Sequence, residues 1–520
     1  MAAPQQHLLV LSLAWLCLLV ITPLAVAGRG LTLASSGQAC QPTQVHLAVT
    51  GNPTEMRVMW KTAGKGCHAD VQCWLDNKIA ADDNAAKALH ASSESSYSSA
   101  DMCSAPATDF AFEPPSLHTA VITELVPGER YRYQIGLDGS VSSFRAAPAS
   151  SPDRGFRFLV YGDMGESEHK AAKSPGARAT AKAATAEVLD GGAELVLHIG
   201  DISYANGDPD IWDTFMDYIT PYAAAAPYMI GIGNHEYDYR TGKEKKHKHD
   251  HKLASAADPS GEAHPYDPDW GNYGNDSGGE CGNDSGGECG VAVSKRFIMP
   301  GASSDADALP GADNHHHSRG APAQNSPFWY SFDYGSVHFT IISTEHDLTK
   351  GSEQHEWLAA DLAGVDRCQT PWLLVGMHRP MYVVYPHKSN RIVGEHLRSQ
   401  LEDVFEAHAV DMVLSGHVHA YARTCNVYNG ECVADADGGA THITLGCGGR
   451  KLSRVEHDQS SWLEYAEAEY GYGRVTVHDG NSLLFEFVGS EDGNTRDSLL
   501  LHNSRADART CNGASPVVQQ

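Results

Sequence analysis

Five times between Phe156 and His419 a short apolar run ends in one or two small residues and then in a side chain able to bind a metal ion. The runs are FRFLVYGDMG (156–165), ELVLHIGDISY (194–204), PYMIGIGNHE (227–236), PWLLVGMHRP (371–380) and VDMVLSGHVH (410–419). Each reads as a buried strand followed by a turn. The side chains in those turns are Asp163, Asp201 with Tyr204, Asn234, His378, and His417 with His419. Loops past the carboxyl ends of strands in an open α/β sheet gather in one crevice, so these seven side chains are expected together however far apart they lie in the chain. A lone Asp or His after a strand is usually a turn residue or helix cap. Five repetitions of one arrangement are not accounted for in that way.

The segments between these runs read as helices. Arg178–Leu189 is rich in Ala and has no strong breaker, and Leu397, Leu401, Val404, Phe405 and His408 fall on one helical face. Strands separated by helices imply crossovers, hence a mainly parallel core with antiparallel edges. Residues 44–147 have another texture: Val45, Leu47, Val49, then Met56, Val58, Trp60, and Tyr131, Tyr133, Ile135, Leu137 alternate with polar residues, as half-buried antiparallel strands do. A Pro-Gly turn precedes a Tyr-bearing strand in LVPGERYRYQIG (125–136), a pattern common in fibronectin-like sandwiches. The expected fold is therefore an all-β, fibronectin III-like sandwich over 44–147 and an α/β domain over 155–500, a β-sheet sandwich flanked by helices. A polar linker at 147–152 joins them, and a tail covers 501–520.

The first 27 residues read as a secretory signal, with an apolar run from Leu8 to about Val20 before the small-x-small site Ala25-Val26-Ala27. That run, roughly a dozen residues, is too short to favour spanning a bilayer. Secretion is thus expected, to the extracellular space, cell wall or vacuole, with no membrane association. Lys and Arg number 38 against 65 Asp and Glu, and the net charge of -27 disfavours nucleic acid backbones and anionic membranes. Of 12 cysteines, Cys17 leaves with the signal, and the remainder is odd, so in an oxidising compartment one is free, paired with another chain or a passenger. Cys67, Cys73, Cys103, Cys281, Cys289, Cys425 and Cys432 are disulfide candidates whose connectivity the spacing leaves open. The stretch from about 240 to 327 reads as an insertion. It holds a His-rich basic run (243–252), His315–His317 and a tandem GNDSGGEC at 274–281 and 282–289, with sequons at Asn275 and Asn283.

Asp, Asn, Tyr and His together offer hard oxygen donors and imidazoles, a set that suits Fe, Zn or Mn. Seven ligands exceed what one open catalytic ion takes; two ions about 3.5–4 Å apart, bridged by one carboxylate, account for them and leave room for water and a phosphoryl group.

The blocks GDMG, GDISY, GNHE, GMHRP and GHVH, in that order, resemble those of the purple acid phosphatases within the metallophosphoesterases. The likeness extends from VHLAVTGNPTEMRVMW (45–60) to YGYGRVTVHDG (470–480). It implies a binuclear centre with Fe(III) on Asp163, Tyr204 and His419, a divalent ion (Zn, Mn or Fe) on Asn234, His378 and His417, and Asp201 bridging. Tyr204 would supply the colour of the family through its phenolate. His235 would bind substrate, and His387, in VYPHKSN (384–390), would assist the leaving group. Lys388 stands where many plant members have a second histidine, GCGG (446–449) replaces a glycine turn with Asn, and the family has one copy of DSGGEC, which leaves the register of the two copies open. WGNYGN (270–275), DSGGECGV and GMHRPMY look closest to the large plant and algal branch, which includes nucleotide pyrophosphatase/phosphodiesterase-like members.

The function implied is a secreted dimetal acid phosphatase that hydrolyses small phosphate monoesters by attack of a metal-activated hydroxide. One alternative is a nucleotide pyrophosphatase/phosphodiesterase on the same site; another is a catalytically silent, secreted binding protein. The large plant relatives suggest a homodimer.

Overall fold

The computed structural model describes residues 39–67, 69–76, 87–89, 93–136, 139–169, 171–237, 284–301, 324–384, 388–434, 438–455 and 460–503. The expected signal segment, the His-rich runs, the sequon asparagines Asn275 and Asn283, Cys281 and His387 lie outside the described residues.

The first half is a sandwich of two antiparallel four-stranded sheets. One has the order β1 (Thr43–Ala48), β2 (Met56–Thr62), β6 (Ser116–Ile122), β5 (Ser93–Ser95). The other runs β4 (Lys87–Leu89), β3 (Val71–Leu75), β7 (Arg130–Ile135), β8 (Val141–Arg145). Leu47, Val58, Trp60, Val71, Tyr133, Ile135 and Phe144 fill the space between them. The alternation read from the sequence sends Met56, Val58 and Trp60 inward, yet Arg57 and Met59 on the other face of β2 are buried too. That face packs on the second half, where Arg57 Nη1 donates to the Ile298 carbonyl (3.1 Å) and the Ile298 N–H meets Met59 Sδ (3.3 Å). A charged residue at an outward position is therefore sheltered by a neighbouring body that alternation within one strand does not reveal.

Further ties cross the same boundary. Arg296, at the end of the helix Val291–Arg296, donates to Tyr97 Oη (2.9 Å), Gln44 Oε1 (3.2 Å) and Asp213 Oδ1 (2.9 Å), and Lys61 also pairs with Asp213. Tyr133 Oη donates to the Ala224 carbonyl (2.8 Å). A disulfide joins Cys103 to Cys289, and others join Cys40 to Cys67 and Cys425 to Cys432. Cys67 thus takes Cys40 rather than the nearby Cys73, whose side chain β3 turns into the sandwich core.

The second half packs a six-stranded sheet against a larger one. The first has the order β11 (Tyr228–Gly231), β10 (Leu195–Ile199), β9 (Phe156–Tyr161), β20 (Gly471–Val477), β21 (Ser482–Gly489), β22 (Thr495–His502), parallel from β9 to β11 and antiparallel beyond. The second runs β12 (Tyr330–Tyr334), β13 (Val337–Ile341), β14 (Trp372–Gly376), β15 (Met412–Ser415), β18 (Ala440–Leu445), β16 (Tyr421–Tyr428), β17 (Glu431–Cys432), with β19 (Leu463–Glu467) also on β16. Its parallel core is β13, β14, β15 and β18. Phe158 and Phe339 meet edge to face between the sheets, centroids 5.2 Å apart. β22 runs two residues into the expected tail, to His502.

Helices serve as the crossovers: Ala177–Leu189 after β9, Pro209–Ala223 after β10, Glu353–Gly364 after β13 and Lys388–Ala407 after β14. Asp208 caps the second through the Asp210 N–H (3.1 Å), and Ser352 caps the third through the His355 N–H (3.3 Å). Leu397, Leu401 and Phe405 face the core, while His408 falls just past the end of the last helix.

One charged cluster pins the helix Glu353–Gly364 to the sheet edge. His338 lies opposite Asp333 in the β12–β13 ladder and bonds Asp333 Oδ1 (2.6 Å) and Asp361 Oδ2 (3.2 Å), and Asp361 also accepts from Thr340 Oγ1 (2.8 Å). Burial works against the imidazolium, but Asp361 and then Asp333 push its pKa up to about 10. A pKa raised by folding stabilises fully below the unfolded value of 6.5 and loses that contribution as pH rises through about 10. His338→Leu is expected to cost on the order of 3 kcal/mol near pH 6, since it removes the cation that faces two carboxylates. The difference in thermal midpoint from wild type should shrink towards pH 10; a difference independent of pH would mean that His338 carries no charge in the fold.

Candidate metal centre

The carboxyl ends of β9, β10, β11, β14 and β15 open on one crevice, and all seven side chains singled out in the sequence lie there. Asp163, Asp201, Tyr204, Asn234, His378 and His417 are buried, and His419 is partly open to solvent. Four of the seven, Asp163, Asp201, Tyr204 and His417, have φ of 59°, 50°, 55° and 65°, although none is glycine. Left-handed backbone in such residues costs about 1–3 kcal/mol each and collects where function demands a particular direction. The small residues before the ligands have a steric cause: a Cβ on Gly233 would lie 2.3 Å from Asp201 Oδ1, and one on Gly416 2.6 Å from Asp163 Oδ2.

Within the crevice the side chains form two overlapping groups. Tyr204 Oη donates to Asp163 Oδ1 (2.9 Å) and lies 3.0 Å from His419 Nε2, which is 3.3 Å from Asp163 Oδ1. Asn234 Oδ1 lies 3.2 Å from His378 Nε2 and 3.0 Å from His417 Nδ1. Asp201 belongs to both: it clusters with His378 and His417, and with Asp163 and His419, with donor atoms within 4.8 Å of one another in each group. His378 Nδ1 donates to the Ile199 carbonyl (3.1 Å) and His419 Nδ1 to the Lys451 carbonyl (2.9 Å). Both Nε2 atoms are thereby left to present lone pairs inward, as a metal-ligating imidazole requires. The donor set fits a pair of hard or borderline cations.

Burial would raise the Asp201 carboxyl, but His378 and His235 beside it hold it well below its ordinary value. Burial opposes charge on His378, and Asp201 and Asp163 push that imidazole up to about 10. His235 is driven down to about 3 by burial despite Asp201. Its Nδ1 is fixed by Asn206 Oδ1 (2.8 Å), its backbone N–H donates to Asp201 Oδ1 (2.9 Å), and its ring lies against that of Tyr204, tilted by 50° with centroids 4.2 Å apart.

Several supporting residues escaped the sequence reading. Glu236 is fully buried and ties two of the ligand turns together by accepting from the Ile202 (2.8 Å) and Gly233 (3.0 Å) N–H groups; burial pushes its carboxyl well above the ordinary range. Asp284 Oδ2 accepts from Asn234 Nδ2 (3.1 Å), which turns Asn234 Oδ1 towards the two histidines. Arg379 bridges Glu345 Oε1 (2.8 Å) and His417 Nε2 (3.2 Å). Glu236 and Asp284 lie inside the GNHE and DSGGEC blocks, which were the available signal. Asp284 comes from the second octapeptide copy, whose Glu288 accepts from the Gly207 N–H (2.8 Å) and Trp212 Nε1 (2.9 Å), so this copy forms part of the crevice wall.

Comparison with known proteins agrees with this geometry. Residues 42–156 match the purple acid phosphatase N-terminal domain, 156–421 the calcineurin-like phosphoesterase domain, and 439–498 the iron/zinc purple acid phosphatase-like C-terminal segment. The chain belongs to the purple acid phosphatase family. It is similar to the "probable inactive purple acid phosphatase 27" of Arabidopsis thaliana, 30% identical over 440 residues that span 79% of this chain and 62% of that relative. It is also 31% identical to the nucleotide pyrophosphatase/phosphodiesterase of Hordeum vulgare over 402 residues, 72% of this chain and 92% of the relative. The structure of the purple acid phosphatase PPD1 from yellow lupin (Lupinus luteus) seeds superposes with a TM-score of 0.70 at 27% identity, covering 89% of this chain and 74% of that one.

Proposed function

We propose that this purple acid phosphatase is a catalytically competent dimetal enzyme that hydrolyses small phosphate monoesters under acid conditions. The observation that carries the reading is the completeness of the site: all seven ligand-type side chains converge and Asp201 is common to both groups. Asp163, Tyr204 and His419 would hold a ferric ion, and Asn234, His378 and His417 a divalent ion, with Asp201 bridging. When bound, such a pair lowers the pKa of water and clamps a phosphoryl group. The chain's own residues then orient and enclose. His235, held by Asn206, faces the phosphoryl oxygens, while Glu236 and Asp284 keep the turns and the Asn234 amide in place. His387 is assigned as the leaving-group acid. Disulfides, together with the signal-like first 27 residues, support secretion. Among the described residues no helix is long and apolar enough to cross a membrane.

A second reading, hydrolysis of nucleotide pyrophosphates or phosphodiesters, is supported by the likeness to the barley enzyme over nearly its whole length. The deciding experiment measures turnover of metal-analysed protein on a phosphomonoester, a phosphodiester and a nucleoside diphosphate sugar from about pH 4 to pH 8. The monoester is expected to be cleaved fastest, and at the acid end. Preference for either of the others would favour the second reading, and no turnover with both metals bound would mean a silent scaffold.

A further inference from the structure

Arg450 follows the GCGG turn directly, and its backbone N–H donates to the carbonyl of Asp163 (2.8 Å). The turn itself allows no slack: a Cβ on Gly449 would lie 2.2 Å from the Met164 carbonyl, and Gly449 accepts from the Gly176 N–H (3.0 Å). Held in this way, the side chain reaches over the ring of Tyr204, with Cζ 4.1 Å from the centroid. Nη1 donates one long contact, to Ser174 Oγ (3.5 Å), and among the described residues no carboxylate forms an ion pair with the guanidinium. A cation without an ion-pair partner among the described residues therefore lies over the ring of the aromatic ligand candidate itself, where the ring's negative face attracts it.

We propose that Arg450 tunes Tyr204 as an iron ligand by stabilising the electrons of its ring, and thereby sets the wavelength of the visible band of the metal-loaded protein. The proposal rests on the reading of Tyr204 as the phenolate ligand. Moving electron density from the ring towards the metal takes it away from the neighbouring cation and costs energy. With Arg450 present the band lies at shorter wavelength than it would without it. One charge at this distance in a partly buried setting displaces such a band by on the order of tens of nanometres.

The test compares visible spectra of wild type, Arg450→Gln, Arg450→Met and Arg450→Lys, each loaded with iron and zinc to equal stoichiometry. Both neutral variants are expected to absorb at longer wavelength by tens of nanometres, with the lysine variant restored most of the way to wild type. Neutral variants that carry the same iron and keep the wild-type band would overturn the proposal. So would failure of both neutral variants to fold while the lysine variant folds, since the side chain would then be structural. A band that persists in Tyr204→Phe is a separate outcome, for it removes the phenolate reading itself.

Discussion

Asp201→Asn is expected to lower monoester turnover roughly a thousandfold or more, and to reduce bound metal at both positions rather than at one. Asp201 is the residue common to both donor groups, and its Oδ1 already accepts from the His235 N–H (2.9 Å) and lies 3.3 Å from His378 Nε2. An amide there loses the charge that two cations would share. Whichever way it is turned, it also sets either its NH2 against the His235 N–H or a weaker acceptor towards the metals. Metal analysis beside kinetics gives the answer: two metals retained with normal turnover would show that Asp201 is not shared.

Gly233→Ala should approach that loss without touching any ligand. The added Cβ would lie 2.3 Å from Asp201 Oδ1, 2.7 Å from the Asp201 nitrogen and 2.7 Å from His378 Cδ2. None of these is the free end of a flexible side chain, so the crowding must displace Asp201 or His378. A displacement of about 1 Å at a reacting centre costs on the order of a hundredfold in rate. Gly364→Ala is the control, because a Cβ there meets nothing within 4 Å. Turnover in Gly233→Ala equal to that of the control would mean that the crevice tolerates motion these distances do not suggest.

The ligand-bearing turns were legible in the sequence because each places a polar side chain straight after a strand too apolar to lie anywhere but the interior, and does so five times. The two-layer order of the second half follows from the same runs, since helices between buried strands leave few other topologies. What stayed hidden depends on partners brought by the fold. Nothing beside Asp284 or Arg450 in the chain hints that one holds the Asn234 amide and the other covers Tyr204. Spacing along the chain left the partner of Cys67 open, and it is the fold that brings Cys40 to it. The buried outer face of β2 belongs to the same class, for a strand's own pattern does not name the body it leans on.

The wall that carries Asp284 is built by both halves of the molecule. Gly286 and Gly287 accept from the Ala107 (3.0 Å) and Cys103 (2.9 Å) N–H groups of the sandwich half, and the Cys103–Cys289 disulfide closes the seam two residues further on. The seam therefore couples the sandwich to the segment that holds the Asn234 amide. Recombination at the 147–152 linker, which would graft the catalytic half of one relative beneath the sandwich of another, puts at risk the setting of Asn234 on the far side of the seam.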